Sequence, residues 1–92
     1  MVVENSRPGV MDALGIGYAA TSEQNPRIIY ASLSGFGADG PAASRPGLDN
    51  IIQGFSGLMS VTGFAGGEPV RVGIPVADLF TGLIGAYGIL AA

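Results

Sequence analysis

Arg27-Ile-Ile-Tyr-Ala-Ser-Leu-Ser34 runs directly into Gly35-Phe-Gly-Ala-Asp-Gly40, and the class of fold turns on that junction. The first half is rich in β-branched and aromatic residues, the composition of a buried strand. The second half opens a glycine loop that continues to Gly47. Beyond it, Ile51, Ile52, Phe55, Leu58 and Met59 recur at helical spacing, so Asp49 to Met59 is predicted as an amphipathic helix. Thr62 to Pro69 reads as a turn-rich loop, Val70-Arg-Val72 as a short strand, and Pro75 as the opening residue of a last helix. Working back toward the N-terminus, Asn25-Pro26 stops a helix over Tyr18 to Gln24. Gly15 closes a shorter one over Val10 to Leu14. Glu4 to Gly9 is a loop in which Asn5 or Ser6 is placed to cap that short helix. Val2-Val3 ends a short buried strand. Strand, helices, strand, helix predicts an α/β layer arrangement.

Composition removes most reaction chemistries. The 92 residues carry a net charge of −3, and all four basic side chains are arginine, which argues against a nucleic-acid surface. There is no cysteine, histidine or lysine, so thiolate chemistry, histidine-dependent triads, His-ligated zinc and Schiff bases are excluded within the chain. Carboxylates, hydroxyls, arginine and backbone amides remain. Met1 to Asn5 lacks a basic segment followed by an apolar core, so no signal peptide is expected, and with no cysteine a reducing, cytoplasmic setting is. The apolar stretch Leu79 to Ala92 has 14 residues, short of the roughly 20 that span a bilayer. A buried helix is expected instead, with Gly82, Gly85 and Gly88 forming a smooth face for close packing. So short a chain offers that face few partners. The reading is therefore an internal segment of a larger protein, or a domain needing a second chain.

Asp78 is the candidate that matters most. It is the only charged residue after Arg71, and it sits in Gly73-Ile-Pro-Val-Ala-Asp78-Leu-Phe-Thr-Gly82. Apolar neighbours would strip its hydration, while a place in the first turn behind Pro75 would let the helix macrodipole favour its charge. A partly desolvated carboxylate that stays ionised is one form of activated nucleophile. Read locally, Asp78 is more simply a first-turn stabiliser than a nucleophile. Asp49 is most simply an N-cap of the helix it begins, and Arg45 a solvated loop residue; functionally, Arg45 suits a phosphate and Asp49 a second carboxylate near Asp78. Gly35-Phe-Gly37-Ala-Asp-Gly40 matches the dinucleotide fingerprint in letters only. That fingerprint must lead into a helix whose N-terminus meets the pyrophosphate, whereas Pro41 and Pro46 prolong the loop. Asn5-Ser-Arg7 follows a strand end, the usual place for ligand contacts in an open α/β sheet. Ser56, Ser60 and Thr62 have nothing to activate them and read as caps.

Five stretches together resemble the family III CoA-transferases. They are Val3-Glu-Asn-Ser-Arg-Pro-Gly-Val-Met11; Asn25-Pro-Arg-Ile-Ile-Tyr-Ala-Ser-Leu-Ser-Gly-Phe-Gly37 with Gly40-Pro41; Arg45-Pro-Gly-Leu-Asp49 with Gln53; Ser56-Gly-Leu-Met-Ser-Val-Thr-Gly63; and Val72-Gly-Ile-Pro-Val-Ala-Asp78. The resemblance covers essentially the whole chain. It implies that residues 1–92 are part of an open Rossmann-like α/β domain belonging to an interlocked homodimer. It implies no permanently bound cofactor and no metal, with CoA, acyl-CoA and a carboxylic acid as the partners. Asp78 falls at the family's catalytic aspartate, and Asp49 where an acidic residue lies near the active site. Asn5, Ser6 and Arg7 fall on a segment contacting CoA, and Arg45 beside another. The implied reaction passes through aspartyl anhydride and aspartyl–CoA thioester intermediates. The sequence departs from the family pattern at Ser6, where phenylalanine is usual, and at Ala13, which is basic in some members. At Leu48 the family's racemase branch carries a catalytic histidine, so the chain resembles the transferase branch. The family's N-terminal nucleotide-fold strands and its later glycine loop over the active site have no counterpart in these residues. The rival readings are a 2-methylacyl-CoA racemase of the same fold, and a non-catalytic scaffold or membrane-associated segment in which Asp78 only caps a helix.

Overall fold

The computed structural model describes residues 1–92. Strand β1 (Val2–Glu4) is followed by helices α1 (Val10–Ala13) and α2 (Tyr18–Gln24). Strand β2 (Tyr30–Ser32) comes next, then helix α3 (Asp49–Phe55), a 3-10 turn (Leu58–Val61) and helix α4 (Val76–Ala91). The two strands pair in parallel, with Val2 opposite Tyr30 and Glu4 opposite Ser32, so α1 and α2 form the crossover of a β-α-β unit. Val2 N–H donates to the Ile29 carbonyl and Leu33 N–H to the Glu4 carbonyl, both at 2.9 Å, which extends the ladder at each end. Tyr30 fastens α2 to the sheet: its ring meets Tyr18 edge-on at 6.0 Å, and its hydroxyl donates to the Ile16 carbonyl at 3.2 Å.

Several sequence expectations are corrected. The strand predicted from Arg27 is regular only over Tyr30–Ser32, because Asn25-Pro26 and the following residues form a turn. Val70–Val72 has no regular structure and joins no ladder. Val70 N–H donates to the Met59 carbonyl at 3.2 Å, and Val72 N–H to the side-chain oxygen of Gln53 at 2.8 Å. Helix α3 stops at Phe55, and Gly57, at a φ of 83°, turns the chain into the 3-10 segment. Neither Asn5 nor Ser6 caps α1; Gly9 takes that position in the left-handed region and offers no side chain. Ser56, Ser60 and Thr62 bond mainly backward, each hydroxyl donating to a carbonyl three or four residues earlier.

The strands and helices expected to be buried are not buried by this chain. No hydrophobic residue is fully enclosed, and Gln53 is the only side chain that is. The accessible surface is 6710 Å², against about 4,900 Å² for a folded monomer of this mass. The radius of gyration is 16.1 Å, where a compact domain of this length has about 12 Å. Along α4, Leu79, Phe80, Leu83, Ile84, Tyr87 and Leu90 are all more than half exposed. Of its three spaced glycines only Gly85 meets anything: a Cβ there would lie 3.2 Å from Leu33, while Gly82 and Gly88 face open space. No helix is long and apolar enough to cross a membrane. The residues thus build a site-bearing layer whose apolar faces lack their complement.

Candidate active site

Both parallel strands end at the same edge, and the segments leaving them begin the site. At the end of β1 the Glu4 carboxylate accepts the Ser6 N–H at 2.7 Å and the Ser32 hydroxyl from the neighbouring strand. These bonds favour the charged form, the Ser32 hydroxyl most, and hold the Glu4 carboxyl below its ordinary 4.5. They also fix the path of Asn5-Ser-Arg7 as it leaves the sheet. The chain leaving β2 turns through Gly35 into the glycine loop and returns at Gly47. There the two backbones touch, since a Cβ on either glycine would stand 2.5 Å from the Cα of the other. No helix follows Gly40; Pro41 to Ser44 is a run of turns. That is the physical reason the dinucleotide fingerprint fails.

Both limbs of the loop meet α3 at Phe55, the outgoing limb through Phe36 and the returning limb through Arg45. Phe36 meets Phe55 edge-on at 5.1 Å, and the Arg45 guanidinium lies 5.9 Å from the Phe55 ring centre on the ring face. A contact of that kind is worth roughly 0.5–1 kcal/mol at an exposed position. It orients Arg45 without consuming its hydrogen-bond donors.

Helix α4 closes the remaining side, and its N-terminus is held in an unforeseen way. Its N-cap is Pro75, which has no side-chain acceptor. The acceptor comes from α3: Asp49 Oδ1 accepts the N–H of Ala77 at 2.8 Å and that of Asp78 at a longer 3.4 Å. Asp49 therefore does not cap its own helix, whose N-cap is Leu48. Its second oxygen, Oδ2, accepts the side-chain amide of Gln53 at 2.7 Å, one helical turn on. Gln53 in turn donates to the Ile74 carbonyl at 3.3 Å and accepts from Val72.

A cleft of about 540 Å³ lies between these parts, within the size range of small-molecule sites. Asn5, Ser6 and Arg7 line one side, Arg45 and Leu48 another, and Asp78 with Thr81 the α4 side. Five of the six residues singled out from the sequence thus share one cleft. Asp49 is the sixth and does not line it. Asp78 is exposed, which corrects the expectation that its apolar neighbours shield it: Leu79 and Phe80 stand 57% and 58% exposed. Whatever excludes water there is not supplied by these residues. Thr81, which lines the cleft, and Gln53, which holds Asp49 from outside it, are residues to which the sequence reading assigns no role. The signal for Thr81 is its place three residues beyond Asp78, on the same helical face. Gln53 has a fainter signal, a lone polar residue among Ile51, Ile52 and Phe55. No group of three or more His, Cys, Asp or Glu side chains converges as a metal site.

Comparison with known proteins agrees with the resemblance drawn from the motifs. The model of CoA-transferase family III matches residues 1–92. Acetyl-CoA:oxalate CoA-transferase of Acetobacter aceti is 50% identical over 93 residues, covering 100% of this chain and 24% of that protein. Succinyl-CoA:glutarate CoA-transferase of Homo sapiens is 47% identical over 90 residues, covering 98% of this chain and 20% of that protein. The crystal structure of a CaiB/BaiF family protein from Brucella suis aligns with a TM-score of 0.93 at 42% identity, covering 98% of this chain and 24% of that one. The chain spans about a fifth to a quarter of the length of these relatives.

Proposed function

The chain belongs to CoA-transferase family III, and from that premise we propose that its cleft serves the transfer of CoA between two carboxylic acids, with Asp78 as nucleophile. The observation that carries the reading is a convergence. Asp78 opens onto the same cleft as Asn5, Ser6, Arg7 and Arg45, although up to 73 positions separate them in the chain. Two guanidiniums with planar donor forks suit the phosphates of CoA, and Asn5 and Ser6 add neutral polar contacts. No cysteine, histidine or lysine competes with the carboxylate as nucleophile.

In the proposed sequence, an Asp78 oxygen attacks the thioester carbonyl of the donor acyl-CoA. A carbon–oxygen bond forms and the carbon–sulfur bond breaks, giving a mixed anhydride and CoA thiolate. The thiolate attacks the aspartyl carbonyl, releases the donor acid as its carboxylate, and leaves an aspartyl–CoA thioester. The acceptor carboxylate displaces the thiolate to form a second anhydride. The thiolate then takes the acceptor's acyl group and frees Asp78. No net proton or electron is consumed. An anhydride is hydrolysable, so the exposed Asp78 must be covered in the working protein, and an interlocked homodimer of the longer chain is the proposed cover. Relatives named for oxalate and glutarate make small dicarboxylic acids the first acceptors to test. A racemase would need a second proton-transfer group, and Leu48, which lines the cleft, provides none.

The test uses the full-length enzyme carrying these residues. Incubation with an acyl-CoA followed by hydroxylamine or borohydride should mark the peptide containing Asp78 by mass spectrometry. Asp78→Ala should lower transfer by at least about a thousandfold, as loss of a covalent nucleophile does, while CoA binding persists. Near-normal turnover in that variant would refute the mechanism.

A further inference from the structure

Taking Asp78 as the nucleophile, we propose that Gln53 and Asp49 act as a positioning pair for it, fixing the start of α4 while leaving the chemistry to Asp78. Gln53 is the one fully buried side chain in the molecule, and nothing apolar accompanies it there. A buried amide is tolerated when its donors and acceptor are satisfied. Three bonds do this: to Asp49 Oδ2, to the Ile74 carbonyl and from the Val72 N–H. Two of these partners belong to the segment that leads into α4, and the third is the carboxylate that holds the α4 amides. One side chain therefore ties α3 to Val72 and Ile74 ahead of the turn at Pro75 and, through Asp49, to Ala77 and Asp78 behind it.

The arrangement also says what Asp49 does. Oδ1 is taken by the two α4 amides and Oδ2 by Gln53, and the residue lies outside the cleft lining. A carboxylate engaged at both oxygens by fixed donors is poorly placed to accept or deliver a proton in the cleft. It is well placed to keep the amide of Asp78 itself from drifting. Small displacements of a reacting group cost large factors in rate, so this pair should act on turnover more than on CoA affinity.

Exchanging the two functional groups separates positioning from catalysis. Gln53→Glu alone sets a carboxylate against the Asp49 carboxylate where a 2.7 Å hydrogen bond stood. Asp49→Asn alone sets two side-chain amides against each other. The Asp49→Asn, Gln53→Glu pair restores a donor facing an acceptor, keeps an acceptor for Val72 and for Ala77, and loses only the 3.3 Å bond to Ile74. In the full-length enzyme each single variant should lose at least tenfold in kcat, with KM for acyl-CoA within about threefold of the parent. The pair should recover most of that loss, a positive coupling between the sites. Calorimetric binding of CoA reports on folding in every variant, and if Gln53→Glu does not fold, Asp49→Asn and the pair still carry the comparison. Singles that turn over like the parent would overturn the proposal. So would a pair no faster than the product of the singles, the result expected if Asp49 serves as a proton carrier. Full activity of Asp78→Ala would instead defeat the underlying reading and leave the linkage between helices intact.

Discussion

Replacing Gly47 by alanine should open the mouth of the glycine loop and loosen the proposed grip on CoA. Its backbone lies outside the region that only glycine favours, so the obstacle is space alone. The added Cβ would stand 2.5 Å from the Gly35 Cα and 2.9 Å from the Gly35 nitrogen. Carbon atoms rest comfortably at about 3.5–4.0 Å, so the two limbs must part by roughly 1 Å. Since backbone meets backbone, no side chain can rotate to relieve the clash. Overpacking of this kind costs about 1–3 kcal/mol. The displaced limb carries Arg45 and Leu48 on one side of the cleft, whereas Asp78 is held separately through α3. A shift near 1 Å then corresponds to roughly a ten- to hundredfold loss, expressed in KM for acyl-CoA more than in kcat. Steady-state transfer kinetics and thermal unfolding of the full-length enzyme read both effects. Gly35→Ala meets the same gap from the other side, so the double variant should cost less than the two single costs combined, because one parting accommodates both methyls. A Gly47→Ala enzyme with parental KM and melting temperature would refute the close approach of the two limbs.

Two further outcomes are expected. Glu4 is bonded by Ser32 and Ser6 in the folded state, so its folded pKa lies below the unfolded one, and its contribution is present above the unfolded value. That stabilisation is lost as pH falls below 4.5 and through the folded value; Glu4→Gln should flatten the acid limb of a stability–pH curve from thermal melts and raise KM for acyl-CoA by freeing Asn5-Ser-Arg7. Expressed alone, residues 1–92 should bind a hydrophobic dye and melt without a cooperative step in calorimetry, because the chain encloses no apolar side chain. A sharp transition would show that the exposed faces find their own partner, by association or rearrangement.

The parts legible from the sequence are those governed by neighbours in the chain. Helix α2 has the bounds Tyr18 to Gln24 predicted for it, with Asn25-Pro26 as its stop, and the failed dinucleotide fingerprint is visible in Pro41 and Pro46. Val70-Arg-Val72 has the alternation of a strand, yet its partners are one side chain and one turn carbonyl, which no periodicity encodes. Asp49 has the chemistry of a helix cap and performs it, on a helix whose amides lie 28 and 29 residues further on. A local rule could name the task but not the recipient. The shielding expected at Asp78 fails for a related reason, since apolar neighbours in sequence protect a carboxylate only when they fold over it.

The buried amide of Gln53 has a consequence for how α3 and the approach to α4 are indexed against each other. Apolar surfaces slide with graded losses, so oily contacts alone would tolerate many alignments of two rods. Polar pairing is all-or-none: a slip of one helical turn, about 5.4 Å, would strand the Val72 amide and the Ile74 carbonyl together. The molecule thus carries a vernier mark, a single notch at which the two elements are allowed to stop, and the Asp78 end of α4 inherits its alignment from that notch.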